Sequence, residues 1–253
     1  MYQFFIEDEN AAEDFVTIEG SDVNHIKNVL RMKPGEKIRV CTRNGQNYFC
    51  SISDITESFV RADILEKEAE STELPCRIYL FQGLPKNDKM EWIIQKTVEL
   101  GVYEVIPVAM KNCVVKLDDK KAKSKVTRWQ AIAESAAKQS KRSYIPQVGM
   151  VMSLKEAFSY IEEQKFDLSM IPYELEKGMD GIKQVLGRLA PGQQIAVFIG
   201  PEGGFAPEEI EMVRDEMQLI SLGRRILRTE TAGIAALAIL GYQLESQTDG
   251  RDE

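Results

Sequence analysis

The chain has one histidine, His25, and four cysteines, Cys41, Cys50, Cys76 and Cys113, with no C-x-x-C pair among them. Zinc clusters and disulfide frameworks both need such ligands at short, paired spacings, so neither is supported, and the thiols read as reduced and partly buried. No apolar run approaches the roughly 20 residues of a membrane span. The opening residues, MYQFFIEDEN, carry no basic stretch leading into an apolar one. A cytoplasmic chain with no membrane segment and no metal is the expectation. No G-x-G-x-x-G opens a helix, and G-x-x-x-x-G-K-[ST] is absent altogether. These absences count against a dinucleotide fold and a phosphate loop.

What is present is enough for a full core. At 253 residues and 43% hydrophobic composition, the chain suits one large or two smaller domains. Its rhythm changes near Leu74 and Pro75. Before that point, short strand-like runs dominate at Tyr2 to Ile6, Lys37 to Thr42, Tyr48 to Asp54 and Phe59 to Leu65. One helix is expected over Ser21 to Met32, and Asn44-Gly45 signals a type I′ hairpin. Beyond Pro75, strand candidates (77–82, 104–109, 167–171, 194–199 and 218–222) alternate with helical patterns (88–100, 121–139, 154–164, 181–189, 207–217 and 229–244). That alternation predicts an α/β domain with a largely parallel sheet. The expected domains are residues 1–73 and 74–253, with 247–253 as a frayed tail.

The net charge of -8 hides local positive stretches. Residues 27–43 hold six basic side chains against Glu36 alone, and residues 111–142 hold ten against three acids. A basic face on an acidic protein is an adequate footprint for phosphate contacts, although Lys120 to Lys125 is equally compatible with a solvated helix start.

The most informative segments are FIGPEGGFAPEEIE, Phe198 to Glu211, and SLGRRILRTETAGIAAL, Ser221 to Leu237. Each sets a strand before a Gly-containing turn and then a helix. Glycines let backbone approach a ligand closely, and Pro207 suits a first helical turn. An isolated turn of this kind is equally compatible with a plain strand-to-helix connection. Ligands of parallel sheets bind outside the strand carboxyl ends, which here are 171–174, 199–204 and 222–227.

The blocks IGPEGG (Ile199 to Gly204) and LGRRILRTETA (Leu222 to Ala232) resemble the RsmE family of 16S rRNA uridine-N3 methyltransferases, in the SPOUT superfamily. VLRMKPGEKI, KNDKMEWIIQKTVELGV and RWQAIAESAAKQSKR extend the resemblance over nearly the whole chain. It implies a trefoil-knotted SPOUT methyltransferase domain, an N-terminal PUA-like β-barrel, S-adenosylmethionine as cofactor and a homodimer. It also implies 16S rRNA, free or in an assembled 30S subunit, as substrate. The implied cofactor contacts are Ile171, Pro172, Tyr173, Phe198, Ile199, Gly200, Pro201, Glu202, Gly203, Gly204, Leu222, Gly223, Ile226, Leu227, Thr231 and Ala232. Arg228 is the candidate for stabilising a uridine anion, with Glu230 as proton acceptor or as the group that orients it. RNA contacts are expected from Lys27, Arg31, Lys33, Arg43, Lys86, Lys89, Lys111, Lys138, Gln139, Ser140, Lys141 and Arg142. His25 reads as structural or RNA-facing. Gln3 stands where many relatives carry arginine, which puts one phosphate contact in doubt. A non-catalytic ribosome-assembly factor, or a SPOUT enzyme acting on another RNA, are the alternatives.

Overall fold

The computed structural model describes residues 1–68, 71–213 and 216–249. The chain divides into two compact units, Met1–Glu73 with Ala137–Ile145, and Leu74–Ala136 with Pro146–Glu253.

In the first unit, β1 (Tyr2–Ile6) and β2 (Phe15–Glu19) precede a short helix α1 (Ser21–Asn24), which continues as a π-helical turn over His25–Val29. Then come β3 (Lys37–Thr42), β4 (Asn47–Ile55) and β5 (Phe59–Glu68). The sheet order is β1-β3-β4-β5-β2, and the two edge strands approach each other, so the sheet curls. Alternation sends Val16, Ile18, Ile38, Val40, Ile52 and Val60 inward, where all are buried. Each such side chain contributes roughly 1.5–3 kcal/mol when fully removed from water. Strand β2 escaped the sequence reading because its F-V-T-I-E alternation is short and set among acids.

At the predicted hairpin only Gly45 has left-handed backbone, φ 88°. A type I′ turn needs two such residues. The connection is instead a four-residue loop, in which Asn44 Oδ1 accepts hydrogen bonds from Thr42 Oγ1 (2.5 Å) and the Gln46 N–H (3.2 Å).

Segment Ala137–Ile145, which the sequence reading kept with residues 74–253, packs with this first unit through long-range polar contacts. Gln3 Nε2 donates to Arg142 O (2.6 Å), Asn47 Nδ2 to Ser143 Oγ (2.6 Å), and Arg142 Nε to both oxygens of Glu73 (2.9 Å). No local pattern in the chain encodes such pairings.

The second unit runs β6 (Arg77–Gly83), α2 (Lys89–Glu99), β7 (Glu104–Ala109), α3 (Asp119–Gln139), β8 (Gln147–Val148), β9 (Met152–Ser153), α4 (Leu154–Glu163) and β10 (Leu168–Pro172). It continues with α5 (Asp180–Gly187), β11 (Gln194–Ile199), α6 (Pro207–Glu211), β12 (Gln218–Ile220) and α7 (Thr229–Asp249). The sheet is parallel in order β12-β10-β11-β6-β7-β8, with β9 also on β7. Phe81 and Phe198, in register on β6 and β11, stack with centroids 4.3 Å apart.

Helix α6 ends at Glu211, short of the expected Met217, and residues 214 and 215 of that expectation lie outside the described ones. Helix α7 extends past Leu244 to Asp249, so residues 247–249 of the expected tail are helical, while 250–253 lie outside the described residues. α7 packs on β6, β11 and α2.

Candidate functional site

Strands β10, β11 and β12 end together, and their following loops, with the start of α7, enclose a cleft of about 430 Å³. That volume lies within the range of small-molecule sites. Among the sequence-predicted contacts, Pro172, Tyr173, Ile199, Gly200, Pro201, Glu202, Gly204, Leu222, Gly223, Ile226, Leu227 and Ala232 line it, as does Arg228.

Four expected cofactor contacts do not. Ile171 and Phe198 are fully buried, their side chains turned into the core by strand alternation, Phe198 against Phe81 and Phe158. Gly203 faces Asn112, and Thr231 is exposed on α7 away from the lining. Glu174, Arg224 and Arg225, inside the expected strand-end ranges 171–174 and 222–227, line the cleft as well, whereas sequence reasoning missed Lys89 in this role, along with Phe205, Ser221 and Thr229. Phe205, Ser221 and Thr229 stand inside the quoted motifs, so proximity was the available signal for them.

The loop after β11 is clamped from three directions. A Cβ on Gly83 would lie 2.7 Å from the Pro201 nitrogen, so β6 and the loop touch backbone to backbone. Asn112 Nδ2 donates to Gly203 O (3.1 Å) and Gly204 O (3.3 Å). Thr229 Oγ1 donates to Gly200 O (2.6 Å). Glu209, itself buried, accepts from the Ala206 and Lys111 N–H groups, both at 2.8 Å, and so ties α6 to the segment after β7. The opposite loop is held by Ser221, whose Oγ accepts from the Gly223 N–H (3.2 Å).

Charge is ordered within this frame. Lys89 Nζ sits 3.0 Å from Glu202 and 3.1 Å from Glu230, bridging the loop after β11 to α7. Hydrogen bonds to Glu202 and then to Glu230 hold the Lys89 ammonium above its usual range. Partial burial pushes the Glu202 carboxyl up, but the Lys89 ammonium and backbone N–H groups outweigh it and leave the group below the usual carboxylate range. Arg224, Arg225 and Arg228 are exposed at the rim, with no ion-pair partner among the described residues.

The cleft thus offers apolar walls from Pro172, Tyr173, Ile199, Leu222, Leu227 and Ala232, backbone edges, and carboxylates at Glu174 and Glu202. Gly204 and Gly223 have left-handed φ of 66° and 117°, and a Cβ at either would meet nothing closer than 3.6 Å, so their missing side chains leave room for a ligand. An adenine ring and a cationic sulfonium fit this donor set better than a polyphosphate. Among the described residues no group of three or more His, Cys, Asp or Glu side chains is arranged to share a metal ion.

The expected RNA contacts fall into separate sets. Arg31 and Lys33 are exposed in the first unit, Lys86 in the second, and Gln139 is exposed with Ser140 half-buried. Lys27 is bonded to Glu57 and Lys111 to Glu208, both at the surface. Arg142 is 3% exposed and paired with Glu73, so its guanidinium is not offered to a ligand. Gln3 is also internal: its Oε1 accepts from Arg39 Nη1 at 3.1 Å.

Two family models match the chain: one described as RNA methyltransferase domain over residues 72–241, and one as RNA methyltransferase PUA domain over residues 18–65. The ribosomal RNA small subunit methyltransferase E of Bacillus subtilis is 39% identical, covering 97% of this chain and 98% of its own length. That of Mesomycoplasma hyopneumoniae is 34% identical, covering 94% and 97%. Among solved structures, ribosomal RNA small subunit methyltransferase E from Neisseria gonorrhoeae bound to S-adenosyl methionine superposes with a TM-score of 0.79 at 31% identity, covering 95% and 96% of the two chains.

Proposed function

Because this chain belongs to the family of ribosomal RNA small subunit methyltransferases E, we propose that it methylates N3 of a uridine in 16S rRNA, with S-adenosylmethionine as donor. The observation that carries this reading is the cleft at the ends of β10, β11 and β12: glycine-lined, apolar-walled, with carboxylates inside and, at its rim, three arginines without an ion-pair partner among the described residues.

S-adenosylmethionine supplies an already activated methyl group on a sulfonium, so alignment and handling of the N3 proton are left to the protein. Ile199, Gly200, Leu222, Leu227 and Ala232 would hold the cofactor. Arg228 stabilises the negative charge that develops on the uracil as N3 loses its proton. Glu230, 3.1 Å from the Lys89 ammonium, is placed to fix the cationic side of the site. RNA is gripped by Arg31, Lys33 and Lys86, which are exposed, together with Arg224 and Arg225.

A trefoil knot and a homodimer belong to the same reading. The chain leaves β11, crosses β10 to form β12, and returns in α7 to pack on β11 and β6, which supports a threaded C-terminus. Trp92 on α2 and Tyr242 on α7 are 51% and 74% exposed on helices that pack together, which supports an apolar dimer face. No helix among the described residues is long and apolar enough to cross a membrane, and a cytoplasmic location is part of the proposal.

The test is transfer of labelled methyl to 30S subunits and to free 16S rRNA from cells lacking this protein, with the modified nucleoside identified by mass spectrometry. N3-methyluridine is the expected product. Cofactor binding without transfer to either would redirect the substrate to another RNA, and absence of cofactor binding would leave an assembly factor.

A further inference from the structure

Gln82 lies at the carboxyl end of β6 beneath the site, fully buried and outside the cleft lining. Its Nε2 donates to Gly83 O (3.0 Å) and to Thr229 Oγ1 (2.9 Å), and the Thr229 hydroxyl in turn donates to Gly200 O (2.6 Å). The direction of this relay is fixed by chemistry. Both carbonyls can only accept, and the single hydroxyl hydrogen is committed to Gly200, so Gln82 must present its nitrogen. Its Oε1 is left buried without a partner among the described residues. A buried amide satisfied on one side only is a poor choice for stability, since an apolar chain of similar shape avoids the desolvation cost.

The relay joins three parts of the cleft that are far apart in sequence: the end of β6, the loop after β11, and the first turn of α7. Arg228 caps that turn, its carbonyl accepting from the Thr231 and Ala232 N–H groups, both at 2.9 Å. Wherever Thr229 is placed, Arg228 and Glu230 beside it follow.

We infer that Gln82 is a positioning residue for methyl transfer, acting through Thr229 to set Arg228 and the Gly200 loop relative to each other. The inference rests on the methyltransferase reading given above. It separates binding from turnover: without the relay the walls from Leu222, Leu227 and Ala232 still hold the cofactor, whereas the alignment of Arg228 with the Gly200 loop is lost.

The experiment uses full-length Gln82→Met, Thr229→Val, Thr229→Ser and the Gln82→Met/Thr229→Val double variant. Folding is checked by circular dichroism, S-adenosylmethionine affinity by calorimetry, and single-turnover transfer on 30S subunits from cells lacking the protein. Gln82→Met and Thr229→Val should each slow transfer at saturating substrates about tenfold or more, the loss expected of misaligned reacting groups, and Gln82→Met, which lies outside the lining, should bind cofactor within a few fold. Thr229→Ser should restore most of the rate. The double variant should be no slower than the worse single one, because both remove one relay. Wild-type rates in Gln82→Met or Thr229→Val overturn the inference, as does Thr229→Ser as slow as Thr229→Val, or losses that multiply in the double variant. If one variant fails to fold, the others decide by the same criteria. No transfer by the wild-type protein overturns the methyltransferase reading instead, before any variant is compared.

Discussion

Arg228 lines the cleft with no ion-pair partner among the described residues, while Glu202 and Glu230 are both paired with Lys89. Its guanidinium is therefore available for charge that appears only during the reaction. Arg228→Ala should lower the methyl-transfer rate by about two orders of magnitude, the usual cost of losing one preorganised donor. S-adenosylmethionine affinity should change only a few fold, and calorimetry beside single-turnover rates separates the two effects. Lys89→Met makes the complementary change, leaving Glu202 and Glu230 to face each other. In the wild-type protein the carboxyl of Glu202 sits below its ordinary 4.5, so its stabilisation is present above that pH and fades as pH falls through the lowered value. The variant loses that support and adds repulsion. Its melting temperature should fall furthest below wild type at neutral pH, and the gap should close as pH drops below 4.5. A constant gap across that range would show that the bridge is not what the lysine contributes. None of this pairing was legible in the chain: Lys89 read as an RNA contact because 113 residues separate it from Glu202 and nothing in the spacing joins them.

The loop after β11 works because neighbouring elements come closer to it than a side chain allows. Gly83→Ala would drive a Cβ to 2.7 Å from the Pro201 backbone nitrogen, and Gly203→Ala one to 2.9 Å from Asn112 Cβ. Neither neighbour can swing away cheaply, so each should cost about 1–3 kcal/mol in denaturant unfolding and weaken cofactor binding. Gly233 in α7 is different: its added Cβ meets Gln82 and Leu80 at 3.5–3.7 Å, an ordinary contact. Gly233→Ala should therefore stabilise by about 0.5–1 kcal/mol, the helix-interior cost of glycine. The sequence told this much at element scale: apolar runs and Gly-Pro punctuation located β6, β7, β11 and both loops, because those signals are local. It could not tell that Gly83, outside either motif, has the tighter approach, since that depends on β6 and β11 being neighbours in the sheet. Helix α6 was overcalled for a related reason. Acidic residues after Pro207 continue to favour helix, while the need to return to the sheet as β12 stops it at Glu211.

At the scale of the whole molecule, a net charge of -8 must coexist with RNA binding, and the disposition of individual cations decides how. Several of the basic residues are already answered internally: Lys27 by Glu57, Arg43 by Glu7, Lys111 by Glu208 and Lys138 by Asp22. Such surface pairs contribute little to stability, and each presents nearly zero net charge to a polyanion. Arg31, Lys33 and Lys86 are exposed without an acidic side-chain partner among the described residues, so they should release the counterions that make binding salt-dependent. Lys33→Ala should reduce the slope of log affinity for a 16S rRNA fragment against log salt by about 1, and Lys27→Ala by clearly less. Arg142→Ala should act on a different quantity. Its guanidinium is 4% exposed and bound to Glu73, so its loss strands a half-buried carboxylate and should cost about 3 kcal/mol of stability. The salt slope of the protein that remains folded should not move. A slope lowered by Arg142→Ala would mean that the Glu73 pair opens when RNA binds, and a slope untouched by Lys33→Ala would place the phosphate contacts elsewhere on the molecule.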